Sequence, residues 1–165
     1  MHINRGFTLI ELMVTIAVLA IVIAIAAPSF TSVIQSNRTT ALHHEILGAL
    51  QLARSEAVKR RSDVIVCRSE DMEDCSNGAD WTVGWIVKDV AGDEVVKVWD
   101  SVTGMALTGP LPGLVFHSSG MASGVTGDEN DPDFTTTTSS CTAGTKYTIG
   151  VSLTGSATAN KTGCP

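Results

Sequence analysis

The chain has 165 residues, 44% of them hydrophobic, and a formal net charge of −6. This length supports one globular domain in addition to a long helix. The acidic balance argues against a nucleic-acid partner, whose phosphates attract lysine and arginine.

The first element is a long apolar stretch that carries one acid. A short leader containing Arg5 precedes the stretch from Phe7 to Ala27, which is long enough to span the apolar core of a bilayer as a helix. Glu11 lies within it, where a charge costs about 2.5–3.5 kcal/mol. A secretory signal peptide does not carry such an acid, and a plain membrane anchor does not need one. A signal peptide, an anchor and a helix built to pair Glu11 with a partner are the three interpretations.

The residues around the acid favour the third interpretation. Gly6-Phe7-Thr8-Leu9-Ile10-Glu11 resembles the signature of type IV pilins. The resemblance implies that prepilin peptidase removes residues 1–6 by cleaving between Gly6 and Phe7, and that Phe7 is then N-methylated. It also implies that Glu11 pairs with the terminal amine of a neighbouring subunit during assembly, which would compensate a buried charge. Residues 7–28 would be the transmembrane and assembly half of a helix.

The helical pattern continues beyond the apolar stretch. Pro28 removes a backbone donor, but helical periodicity resumes after it, so we predict a kink rather than an end. Residues 29–62 form an amphipathic half-helix, and Lys59-Arg60-Arg61 places cations in the last turn, where they favour the helix dipole. We predict one helix from Phe7 to Arg61. Its second half would pack on a head through an apolar stripe at helical spacing: Leu42, Ile46, Ala49, Leu50, Ala53 and Ala57.

Residues 63–165 are predicted to form a β-rich globular head. The hydrophobic period changes to two, and we predict five or six strands: Val64–Cys67, Trp81–Lys88, Glu94–Asp100, Leu114–His117, Tyr147–Leu153 and an edge strand at Ser156–Lys161. Residues 103–113 and 118–140 are rich in turn-forming residues and are predicted as loops, the second of them mobile. One long helix followed by these strands indicates an α+β fold.

The four cysteines, Cys67, Cys75, Cys141 and Cys164, all lie in the head. Four cysteines beyond a membrane segment are typical of two disulfides in an oxidising compartment. Three pairings are possible. We favour Cys67–Cys75 and Cys141–Cys164 because each closes a local loop.

Segments in the second half of the helix and in the head indicate which pilin family the chain resembles. Ala53–Ala57, Val66–Ser69 and Trp81–Val87 resemble the GspH/FimT family. The resemblance implies a long N-terminal helix on a β-sandwich-like head of antiparallel sheets, with no catalysis and no cofactor.

The same resemblance implies a function in assembly. It indicates a minor pilin of the FimU/FimT kind, a single-pass protein of the bacterial inner membrane with its head in the periplasm. Such a subunit joins other minor pilins and the major pilin, primes pilus assembly and sits at the filament tip on the cell surface. A minor pseudopilin of a type II secretion system is the alternative.

DNA uptake is a second alternative. FimT-type proteins that bind DNA carry a pattern like Gly-Arg-x-Arg near the C-terminus. This chain has Gly155-Ser156-Ala157-Thr158 at that place, without either arginine. The departure argues against a DNA-binding pilin for natural transformation.

No metal site is predicted. The acidic segment 127–134 offers oxygen ligands suited to calcium, but Pro132 breaks the EF-hand pattern, so we interpret it as a solvated loop. His43 and His44 are adjacent on a helix and therefore point in different directions. His117 has no ligand-type neighbour in sequence.

Overall fold

A computed structural model describes residues 7–124, 133–138 and 145–164, without the side chains of residues 26–29 and 32. The chain forms two compact units that divide between Ile34 and Gln35. Helix α1, Leu9–Arg60, contributes to both units. The helix continues through Pro28, as predicted. That the membrane-spanning half of the helix ends at residue 28 stays a prediction.

The first unit consists of the leading part of α1. Its large side chains point outward all around the helix, and more than half of each of them is exposed: Leu9, Ile10, Leu12, Met13, Val14, Ile16, Val18, Leu19, Ile21, Val22, Ile23 and Ile25. Such a helix lacks a polar face. Over the described part of the chain, no helix combines the length and the hydropathy that crossing a membrane requires.

The second unit packs the rest of α1 with two antiparallel sheets. The described residues contain nine strands: β1 Val64–Arg68, β2 Trp85–Asp89, β3 Glu94–Trp99, β4 Met105–Thr108, β5 Leu114–Phe116, β6 Ala122–Ser123, β7 Phe134–Thr138, β8 Thr145–Val151 and β9 Ala157–Gly163. Sheet A has the strand order β3-β2-β1-β5-β6, and sheet B has the order β4-β7-β8-β9. The predicted α+β fold is confirmed.

The helix and both sheets share one hydrophobic core. The predicted stripe of α1 is buried, from Leu42 at 3% exposure to Ala57 at 0%. Trp81 packs edge-on against Phe134 with their ring centroids 5.0 Å apart, in a geometry that aromatic pairs favour. The core therefore holds the part of α1 from Gln35 onward and the two sheets together as the second unit.

One strand prediction and two loop predictions for the head are wrong. The predicted strand from Trp81 begins only at Trp85, because the Gly84 amide donates to the Trp81 carbonyl and closes a turn. The predicted loop 103–113 contains β4, and the predicted mobile loop 118–140 contains β6 and β7. β7 is one phenylalanine followed by four threonines, a polar segment that becomes a strand because β4 and β8 pair with it on both sides.

Candidate functional site

Glu11 lies in the first turn of α1, and its carboxylate is satisfied within its own chain. Glu11 Oε2 accepts hydrogen bonds from Thr8 N at 3.0 Å and from Thr8 Oγ1 at 2.9 Å. Thr8 Oγ1 in turn accepts from Glu11 N at 3.3 Å. This reciprocal pair is a capping box, which satisfies backbone donors that have no partner inside the helix. Among the described residues, no cation lies within salt-bridge distance of Glu11.

The structure describes one side of the predicted cleavage bond. Phe7 is 87% exposed, whereas Gly6 lies outside the described residues. Exposed Phe7 comes directly before the exposed apolar helix, and the carboxylate of Glu11 lies in the first turn of that helix. Cleavage after Gly6, methylation of Phe7 and pairing of Glu11 with another chain's amine stay predictions.

A disulfide closes the loop that follows β1. The predicted Cys67–Cys75 bond is present, with a Cα–Cα distance of 5.5 Å. Buried Arg68 holds the same loop from inside through hydrogen bonds to the Asp80 carbonyl at 2.7 Å and the Ser76 hydroxyl at 2.6 Å. Cys164 is disulfide-bonded too, but its predicted partner, residue 141, lies outside the described residues, so that pairing stays a prediction.

A buried lysine ties this loop to the β2–β3 hairpin. Lys88 Nζ lies 2.6 Å from both Asp74 Oδ1 and Asp93 Oδ1, and its side chain is 11% exposed. Hydrogen bonds to these two carboxylates raise the pKa of the ammonium above its ordinary value. These contacts help to cover the face of β2 opposite the core, and all five residues of β2 are buried.

A second polar cluster, absent from the sequence analysis, joins the start of the head to β6. His117 Nδ1 lies 3.0 Å from Asp63 Oδ1, and His117 Nε2 lies 2.9 Å from Ser123 Oγ. These residue types and distances are those of a nucleophilic triad, but the carboxylate of such a triad is buried. Here 48% of the Asp63 side chain and 40% of the His117 side chain are exposed. We interpret the cluster as a structural tie between the end of α1, β5 and β6.

Comparisons with known proteins match both parts of this architecture. A model of the prokaryotic N-terminal methylation motif matches residues 1–27. A model described as the type II transport protein GspH matches residues 43–155, more than half of the chain. The chain belongs to the GspH family. The motif and the family together identify it as a pilus or pseudopilus subunit of the GspH/FimT type.

Two crystal forms of one solved protein share the fold of this GspH-family chain. The type IV minor pilin FimU of Pseudomonas aeruginosa is 18% identical in one crystal form, with a TM-score of 0.53 over 73% of this chain and 91% of FimU. A second crystal form is 17% identical, with a TM-score of 0.53 over 75% and 89%. The minor pseudopilin EpsH of Vibrio cholerae is 15% identical, with a TM-score of 0.43 over 76% and 96%. No curated protein sequence matches the chain.

The histidines of α1 have different environments in this GspH-family head. His43 is 4% exposed and stacks on Tyr147 with ring centroids 4.2 Å apart. Burial, together with neighbouring His44, lowers the pKa of His43 below its ordinary value. His44 is exposed, so the two rings lie in different surroundings. The described residues contain no group of three or more potential metal ligands, while most of segment 127–134 lies outside them.

Asp71 makes the disulfide loop sensitive to acid. Its Oδ1 accepts from Asp74 N at 2.9 Å, Glu73 N at 3.0 Å and Ser69 Oγ at 3.1 Å. These hydrogen bonds, the Asp74 amide first, lower the pKa of Asp71 from 3.8 to about 2. Because the folded pKa is lowered, the ionised carboxylate stabilises the fold fully above pH 3.8, and this contribution disappears as the pH falls through about 2.

The variant Asp71→Asn is therefore expected to melt at a lower temperature than the parent chain at pH 6. The amide still accepts the hydrogen bonds but has no charge to strengthen them. We expect the difference in melting temperature to shrink between pH 4 and pH 2, measured by circular dichroism of both chains. A difference in melting temperature that stays constant between pH 4 and pH 2 would contradict the lowered pKa of Asp71, because the other carboxylates are the same in both chains.

Proposed function

We propose that this GspH-family chain is a minor type IV pilin that primes assembly of the filament and sits at its tip. The observation that carries the proposal is an exposed apolar helix with one carboxylate in its first turn, directly after the predicted cleavage bond. Prepilin peptidase would cut between Gly6 and Phe7 and free the Phe7 amine. Residues 7–28 would hold the subunit in the inner membrane, with the head in the periplasm.

Assembly would exchange one set of partners of Glu11 for another. In the separate chain its carboxylate accepts two hydrogen bonds from Thr8. A neighbouring subunit would offer its charged terminal amine, which forms a stronger, charge-assisted hydrogen bond. Extraction would also replace contacts with lipid by contacts between helices. A buried polar pair fixes the register of such helices, so Glu11 would set the axial position of the subunit.

Two other functions use parts of the same architecture. A minor pseudopilin of a type II secretion system would use the same helix and acid, but the cysteines of the head favour the minor-pilin branch. A DNA-binding pilin would need cations near residues 155–158. Residues 155–158 carry no positive charge themselves. Arg54 reaches the adjacent Thr154 carbonyl, but one arginine on a chain that is acidic as a whole does not replace the two arginines of the DNA-binding pattern. The minor pilin therefore remains the proposal.

Deleting the gene tests this function against its main alternative. We expect surface pili, counted by electron microscopy, to become rare, because assembly would lack one of its priming subunits. Wild-type protein supplied from a plasmid should restore them, and secretion of type II substrates into the medium should remain normal. Normal piliation with a secretion defect would favour the pseudopilin. Normal piliation with normal secretion would reject both functions.

A further inference from the structure

Three large apolar side chains lie exposed at one place on the head. The exposed fraction is 50% for Val58, 50% for Met121 and 61% for Leu153. The Ala122 amide donates to the Leu153 carbonyl at 3.0 Å, which brings the β5–β6 and β8–β9 turns together. A Cβ atom on Gly120 would lie 3.4 Å from Val58 Cγ2. Helix α1 and the two turns thus present one apolar surface.

An arginine without a carboxylate partner lies at this surface. Arg54 Nη2 donates to the Thr154 carbonyl at 2.9 Å, and a Cβ atom on Gly155 would lie 3.2 Å from Arg54 Nε. Among the described residues, no carboxylate pairs with Arg54, whereas Arg60 and Arg68 both form salt bridges. A guanidinium binds a carboxylate through two parallel hydrogen bonds. Most of the N–H donors of Arg54 therefore have no acceptor among the described residues.

A small cavity opens beside the arginine. Its volume is about 180 Å³, and its lining residues are Leu50, Gln51, Arg54, Gly155, Ser156 and Ala157. Pockets for small-molecule ligands have volumes of roughly 300–1,000 Å³. The cavity therefore suits a single side chain of a protein partner.

We propose that Arg54, Val58, Met121 and Leu153 form a docking surface for the head of a different pilin-family subunit. The partner would present a carboxylate to Arg54 and aliphatic side chains to the three apolar residues. Arginine and methionine are enriched in protein interfaces, and an arginine among apolar residues is typical of their energetic centres. The inference rests on the proposed function, because it requires that heads meet in an assembly.

The charge of the surface selects this occupant over two others. In a symmetric dimer of the chain, the same patch would face itself. None of the four residues of the docking surface is acidic, so the patch of one copy would offer no carboxylate to Arg54 of the other copy. A lipid surface or a nucleic acid would need several cations together, whereas the docking surface has one. A partner that carries the missing carboxylate satisfies both the charge and the apolar contacts.

Binding between full-length chains tests the docking surface. Each pilin-family subunit encoded beside this gene is purified in detergent and titrated singly against the full-length chain by microscale thermophoresis. We expect one of them to bind, and we expect Leu153→Asp and Arg54→Gln each to weaken binding about tenfold or more. The matched control Leu111→Asp, at a side chain that is 58% exposed elsewhere on the head, should bind like the parent. Added salt should weaken the parent more than Arg54→Gln.

The outcomes separate this inference from the proposed function. Leu153 is exposed in a turn, so Leu153→Asp should keep the parent's melting temperature, and a loss of binding then reports on the contact. Unchanged binding by both variants, or no binding by any subunit, would overturn the docking surface. The proposed function would still be tested separately by the gene deletion. Self-association of the chain that Leu153→Asp abolishes would also overturn it, because the occupant would be a second copy.

Discussion

The variant Glu11→Ala is expected to reduce incorporation of the subunit into filaments by about tenfold or more. The substitution removes the only carboxylate of the apolar stretch Phe7–Ala27, and with it the proposed acceptor for a neighbour's terminal amine. A buried amine without its partner is strongly destabilising. The head should stay folded because Glu11 belongs to the other compact unit. Immunoblots of sheared filaments, normalised to the amount in membranes, measure the effect.

The variant Glu11→Gln separates the two roles of this side chain. Glutamine keeps an acceptor for the capping box with Thr8 but carries no charge. If the charge pair drives assembly, Glu11→Gln fails as Glu11→Ala does. If capping of α1 were the main role, glutamine would restore assembly.

Mass spectrometry provides the control for processing of these variants. Both variants should lack residues 1–6 and carry a methyl group on Phe7, so that a failure of assembly is not a failure of cleavage. Normal incorporation of processed Glu11→Ala would reject the proposed mechanism.

Features that depend on sequence neighbours are the ones that the sequence predicted well. The stripe from Leu42 to Ala57 follows the helical period, and it is buried. Cys67 and Cys75 are separated by 8 positions, and they are bonded. Strands β1 and β3 carry hydrophobic patterns of their own. Strand β6 has two residues, too short for any pattern, and exists because it pairs with β5.

The candidate sites, too, were predictable where they depend on residues close in sequence and not where they depend on distant ones. The pilin signature and Glu11 are readable as one short motif, and the spacing of Thr8 and Glu11 also contains the signal of a capping box, which the sequence analysis missed. Asp63 and His117 lie 54 positions apart, and their contact depends on the pairing of β1 with β5. Arg54 and Thr154 are 100 positions apart. Such contacts arise from antiparallel pairing and helix packing, so no local sequence pattern predicts them.

A substitution in strand β7 is expected to cause a large loss of stability, because the first residue of this strand is buried in the core. Phe134 is fully buried, and its ring meets Trp81 edge-on with 5.0 Å between centroids and an interplanar angle of 89°. We expect Phe134→Ala to lower the free energy of unfolding of the head by about 3–5 kcal/mol, through lost burial and the cavity that remains. This is a large part of the roughly 5–15 kcal/mol that stabilises a typical domain.

Chemical denaturation followed by tryptophan fluorescence measures this loss, since Trp81 and Trp85 are buried in the same core. The matched control Leu153→Ala shortens a side chain that is 61% exposed and should change the free energy of unfolding by less than about 0.5 kcal/mol. A double-mutant cycle with Trp81→Ala should reveal a coupling of about 0.5–1.5 kcal/mol from the edge-on contact. If residues 118–140 were a loop throughout, as their composition predicted, Phe134→Ala would resemble the exposed control. A loss above about 3 kcal/mol instead indicates that Phe134 is buried in the core of the folded head.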